Sequence, residues 1–233
     1  MENGDSMNLD KYFKKDEDAF YINIYGEKKF RGVHKYYGDT VRNDKAKAQS
    51  GEPPIPISQV FSYINEFIEM LRKSNGALEE NVKNESIVLD NTIHTILDNG
   101  IIARGLNWTM PIYDKDKNKY VDWDYKYNII KNEFGLNTPQ DIVWLKFTTK
   151  GHVGVVAKSF DINFDKKTSD GKPISSSVLI EEVGQSWNKS VVIIFPMTPE
   201  ILGNRSVGDL ELGIGNYLID KGVPIIDYYS HNN

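Results

Sequence analysis

The 233-residue chain contains no cysteine. That excludes disulfides, cysteine-based zinc and iron–sulfur sites, and thiol nucleophiles together. It is compatible with a reducing compartment, and the expected location is cytoplasmic. Long hydrophobic runs are also missing. None approaches the roughly 18 apolar residues that a membrane-spanning helix needs, so no membrane association is expected. The first residues, Met1 to Met7, are acidic and polar, without the basic and apolar regions of a secretory signal.

Histidine is scarce: His34, His94, His152 and His231 are the full set, and they are far apart in the chain. A multi-histidine metal site is therefore not expected. Positive charge is not in excess either. Lys and Arg number 28 against 33 Asp and Glu, a net charge of -5, so general nucleic-acid binding is not expected, because phosphate contacts need a basic surface. The chain lacks a Walker A loop, a Rossmann glycine fingerprint after a strand, a G-x-S-x-G elbow and an H-E-x-x-H helix.

What is present suits a globular domain, with 39% hydrophobic residues, enough to build one sizeable core. The abundance of Lys, Asn, Ile, Asp and Tyr suggests an AT-rich genome, bacterial or phage. Residues 1–18 read as a flexible charged tail, and 19–233 as a single mixed domain. Residues 19–33 form two β-rich runs around Gly26, the pattern of a hairpin. Residues 38–56 are polar and end in Pro53, Pro54 and Pro56, which reads as a linker or loop.

Val60, Phe61, Ile64, Phe67, Ile68 and Leu71 then fall at helical spacing, with Ser58 as a candidate cap and Ser74-Asn75-Gly76 as the stop. A second helix is expected over 78–97, paired with the first. A hairpin is expected over 108–125, a short helix over 127–134, strands over 141–147 and 152–164, and a helix over 175–187. The C-terminal region reads as strand, loop, helix, strand: an apolar run at 190–195, Asn204 and Arg205 in a loop, a helix closed by Gly222, and a β-rich run at 223–229. Pro224 restricts that last run to a sheet edge or a strand start. The fold class expected is α+β or α/β, with a mixed sheet, a helix pair in the N-terminal half and a βαβ-like C-terminal unit.

Three constellations carry possible chemistry. If the C-terminal strands are parallel neighbours, Asn204, Arg205 and Asp209 converge with Asp227, Tyr228 and His231 beyond the strand ends, where open α/β sheets bind ligands. Arginine offers a planar fork to phosphate or carboxylate, and histidine titrates near neutrality. The plainer account makes Arg205 and Asp209 a surface pair at a helix start. A second constellation is Arg31, His34, Lys35 and Tyr36, cations and aromatics able to clamp a nucleotide, or simply an amphipathic hairpin end.

Third, Asp141, Lys158, Asp161 and Asp165 could hold Mg²⁺ for phosphodiester cleavage, since a hard ion takes oxygen ligands. Lys158 and Asp161 are three apart, however, and on a regular strand would face opposite sides. Gly213 and Gly215 lie inside the helical pattern and cost it about 2 kcal/mol relative to alanine. Close packing explains them better than phosphate binding, which needs a helix start. The functional expectation is an interaction protein taking a small anionic, phosphate- or nucleotide-bearing ligand or a protein partner. A Mg²⁺-dependent nuclease and an oligomeric structural module are the alternatives.

Overall fold

Seven consecutive residues of one strand are buried, and that strand organises the molecule. The computed structural model describes residues 9–15, 20–22, 28–30, 40–76, 94–97, 100–104, 112–114, 119–121, 141–159, 175–228 and 230. Its main sheet has five strands: β3 (His94–Leu97), β4 (Gly100–Arg104), β7 (Ile142–Thr148), β8 (Val153–Ser159) and β9 (Trp187–Pro196). They lie in the order β3-β4-β9-β7-β8, and every pairing is antiparallel. Two further antiparallel pairs join β1 (Phe20–Ile22) with β2 (Lys28–Phe30) and β5 (Ile112–Asp114) with β6 (Lys119–Val121), within the hairpins expected over 19–33 and 108–125.

Helices lie on both faces. Alternation along β7 sends Val143, Leu145 and Phe147 to one face, where they meet α2 (Ile57–Ser74) and α5 (Val207–Asp220). The apolar positions predicted for α2 are the ones it buries. On the other face Trp187 packs with α1 (Thr40–Gly51) and α3 (Ser175–Glu182) through Ala46, Leu179 and Ile180. The fold is mixed α+β. Among the described residues, no helix is long and apolar enough to cross a membrane.

Several expectations are corrected. The polar stretch 38–56 contains α1, whose Ala, Lys and Gln are good helix formers. Ala46 is buried in it, Gln49 Oε1 accepts the Ile225 N–H, and just past its end the Glu52 carbonyl meets His152 Nε2 at 2.7 Å. Ser58 does not cap α2; Pro56 holds the N-cap position, without a side-chain hydrogen bond. The helix expected over 78–97 ends instead as β3. His94 to Leu97 pair in antiparallel register with Gly100 to Ala103, and this pairing with β4 outweighs the helical spacing. The rest of that segment, 77–93, lies outside the described residues, as does the helix expected over 127–134.

Within residues 1–18, Leu9–Phe13 form a 3-10 helix with Leu9 and Tyr12 buried in the main core, so this part is not a frayed tail. Tyr12 packs edge-on against Phe67 and Tyr217. The glycine expectation holds at Gly213, where an added Cβ would approach Phe13 and Phe67 at 2.6 and 3.1 Å. Gly222, at φ +77°, ends α5 in a conformation that favours glycine.

The C-terminal unit is βαβ-like but not closed as a neighbouring pair. Ile225 makes a single parallel bridge to Val153 on β8, and β7 and β8 stand between it and β9. Ile226 and Asp227 donate to the Val153 and Gly154 carbonyls, and Ser230 Oγ donates to the Val156 carbonyl. The chain thus runs along the outer edge of β8, with Pro224 just ahead of the bridge, at the edge its missing N–H requires.

Gly154 is the tightest point of the second layer, since a Cβ there would overlap the Trp187 ring. That ring is held by its Nε1 donating to Ser177 Oγ and by the Lys146 ammonium, 5.2 Å from its centroid. Gly154→Ala is expected to destabilise the protein by about 1–3 kcal/mol, typical of overpacking. A urea unfolding midpoint equal to that of the unsubstituted protein would disprove this role for the glycine.

Candidate functional site

Ser206 begins α5 with a capping box: its Oγ accepts from the Asp209 N–H, and Asp209 Oδ2 accepts from the Ser206 N–H at 2.8 Å. The Ser206 hydroxyl also donates to Asp209 Oδ2 at 2.7 Å; this bond first, and then the one from the Ser206 N–H, holds the Asp209 carboxyl below its usual pKa, helped less strongly by Lys158 and Arg205 nearby. Arg205 lies over the Phe13 ring at 4.4 Å and donates to Asn75 Oδ1 at 3.3 Å. Asn204 is an exposed turn residue. Arg205 and Asp209 both sit at the helix start, where Arg205 engages Asn75 and Phe13 and Asp209 closes the cap with Ser206.

Asp227 lies elsewhere. It is fully buried, accepts from Ser176 Oγ at 2.5 Å, and its backbone is level with Gly154. The α5 start is level with Lys158, four residues further along β8, roughly 13 Å at strand rise. The separation of β9 from Ile225 removes the geometry that would unite Arg205 with Asp227. His231 lies outside the described residues, as do Arg31, His34, Lys35, Tyr36, Asp161 and Asp165.

Members of two constellations do meet at the α5 start. Lys158 reaches it from β8, and a Cβ on Gly208 would lie 2.7 Å from its ammonium. There Lys158 meets Glu211, which sequence reading missed. The Glu211 carboxylate accepts from the Lys158 backbone N–H at 2.9 Å and pairs with its ammonium at 3.3 Å. Glu211 is nearly buried, and desolvation raises its pKa from 4.5 to about 7 despite the lysine. Its only sequence signal was an acid among the buried positions Leu210, Leu212 and Ile214.

Asp141 lies one residue beyond the Ile142–Ser159 pair, beside the end of β8, and its carbonyl accepts from the Met197 N–H. Among the described residues, no group of three acids or histidines is placed to hold a metal ion. The nuclease set thus keeps Lys158 paired with an acid that was not part of it.

At the other end of α5 is a hollow of about 290 Å³, lined by Lys11, Tyr12, Lys14, Asn216, Ile219, Asp220 and Tyr228. Of the residues singled out by sequence reading, it contains Tyr228. The 3-10 helix forms one wall, because Asn216 Nδ2 donates to the carbonyls of Tyr12 and Lys14 at 2.9 and 3.0 Å. Asp220 accepts from Tyr12 OH at 2.6 Å and from Lys11 Nζ at 3.2 Å, and these bonds lower its pKa. Burial raises the Tyr12 phenol, foremost among its causes. Lys45 brings a further ammonium to 5.3 Å from the Tyr228 ring centroid. The signal for this site was the apolar trio Leu9, Tyr12 and Phe13, which anchors a stretch otherwise read as tail.

Compared with family models, curated proteins and solved structures, the chain shows no match.

The raised pKa of Glu211 has a testable consequence. The folded protein holds this proton more tightly than the unfolded chain, so the contribution to stability is full below pH 4.5 and is lost as pH rises through about 7. The change amounts to about 3 kcal/mol at 1.36 kcal/mol per pKa unit. Asp209 and Asp220, whose pKa values are lowered, act below this window. Between pH 4.5 and 7 the melting temperature of the unsubstituted protein is expected to fall by roughly 5–10 °C relative to Glu211→Gln. Parallel curves for the two proteins would refute the assignment.

Proposed function

We propose that the protein is an interaction protein that takes a small phosphate-bearing ligand in the hollow between the 3-10 helix and the C-terminal end of α5. The observation that carries this reading is the composition of the hollow. Two ammonium groups, Lys11 and Lys14, face one carboxylate, Asp220. Asp220 engages Lys11 and Tyr12, which leaves Lys14 as the cation best available to an incoming anion. The volume of about 290 Å³ lies just below the range of about 300–1,000 Å³ for small-molecule sites, which suits a compact ligand.

The alternative set at the α5 start supports this reading less well. There each cation already has a partner within the protein: Lys158 has Glu211, and Arg205 has Asn75 and Phe13.

Thermal shift with pyrophosphate and inorganic phosphate tests the proposal. A ligand at 100 times its Kd stabilises by about 2.7 kcal/mol, a rise of roughly 5–10 °C for a chain of this size. Lys14→Glu is expected to abolish the rise while leaving the unliganded melting temperature within about 1–2 °C, because an exposed surface substitution changes stability little. The proposal fails if no phosphate-bearing compound moves the melting point, or if Lys14→Glu leaves the response intact.

A further inference from the structure

We propose that Pro53-Pro54-Ile55-Pro56 is a docking ridge for a partner protein whose groove is lined by aromatic side chains and rimmed by carboxylates. The ridge shares no residue with the hollow, so it stands or falls independently of phosphate binding.

The sequence dictates the local shape. Each proline fixes its own φ near about −65°, and a residue that precedes proline is held extended. Glu52, Pro53 and Ile55 all precede a proline, so little of the segment is free to adopt another conformation. Residues 53–56 accordingly lie outside helix, strand and turn, and Pro56 has φ −53° and ψ 138°, close to polyproline II. That conformation turns once every three residues and makes no internal hydrogen bond. Pro53 and Pro56 thus share one edge, Pro54 takes a second and Ile55 a third. Burial follows this division: Pro53, Pro54 and Pro56 are exposed, whereas Ile55 is half-buried against the main core.

Both ends are pinned. The Glu52 carbonyl meets His152 Nε2 at 2.7 Å, and the Pro56 carbonyl accepts from the Gln59 and Val60 N–H groups at 2.9 and 3.0 Å. The ridge is therefore ordered before any partner arrives, which removes an entropic cost that a free proline-rich peptide meets on binding. A rigid spacer between α1 and α2 would need only the fixed backbone. Two proline rings one turn apart, both exposed, are in addition the feature that aromatic grooves for this conformation grip. Charge selects among such grooves. The turn between β7 and β8 lies against the ridge, since a Cβ on Gly151 would come 3.5 Å from the Pro54 Cβ. Lys150, the preceding residue, is exposed there and offers its ammonium to a carboxylate on the rim.

Surface plasmon resonance of the full chain over a panel of SH3 domains, whose aromatic grooves carry acidic rims, tests the proposal. At least one domain is expected to bind. Pro53→Ala should weaken that binding about 10-fold or more, and Lys150→Glu about 3-fold or more. Both side chains are exposed, so the urea midpoints of the two variants should stay near that of the unsubstituted protein. No binding across the panel overturns the proposal, as does binding that either substitution leaves unchanged.

Discussion

Burial of β7 on both faces is the constraint from which the architecture follows. A strand with every residue inaccessible cannot stand at the surface of a two-layer fold, so helices must pack on each side. One side is conventional: Val143, Leu145 and Phe147 meet the apolar stripes of α2 and α5, with Phe61 stacked on Phe195. The other side is mixed. Lys146 and Thr148 are buried there beside Trp144, and His152, Gln185, Ser176 and Asp227 are buried in the surrounding layer. Polar groups taken from water must find partners or lose stability. The pairs Ser176–Asp227, Trp144–Ser159, Trp187–Ser177 and His152–Glu52 supply them for part of this layer, whereas both side-chain polar atoms of Gln185 are buried without a hydrogen-bond partner.

The same constraint explains the C-terminal segment. With β7 inside, β8 becomes the sheet edge, and an open edge is a template for unwanted pairing. The chain closes that edge with its own final residues. Ile226, Asp227 and Ser230 take the carbonyls of Val153, Gly154 and Val156, and Glu211 takes the Lys158 N–H. A carboxylate from a helix thus completes a ladder begun by backbone. This is a sufficient structural reason for an acid on the buried face of α5, and burial there raises the pKa of Glu211 whether or not the group has chemistry to perform.

What could be read from the sequence divides along physical lines. The α2 stripe was legible because six large apolar residues repeat at helical spacing, and the hairpins because β-branched runs flank glycine or polar turns. Helix α1 was hidden because the contacts described for it, the small Ala46 and polar bonds to distant segments, leave no periodic signal. Strand β3 was misread because Ile93, Ile96 and Leu97 also match a helical stripe, and partner β4 decides between the two. The ligand constellation failed at one point, namely which strand Ile225 would join. That is set by the buried edge of β8 and not by any local property of residues 223–229. The hollow was hidden because its walls are more than 200 residues apart in the chain, as the Tyr12–Asp220 bond shows.

The two ends of α5 are electrostatically unlike, and the difference bears on what each can bind. At its start the helix dipole is positive, which favours Asp209 and disfavours the cations Lys158 and Arg205. Those cations persist there because Glu211, Asp209, Phe13 and Asn75 engage them, so an incoming anion would have to displace partners already in place. At its end the dipole is negative, and Lys11, Lys14 and Lys221 are favourable there without any ligand. A phosphate entering the hollow gains the ammonium groups but faces the helix terminus and Asp220. Charge alone therefore gives modest affinity at that site, and discrimination has to come from what the phosphate is attached to.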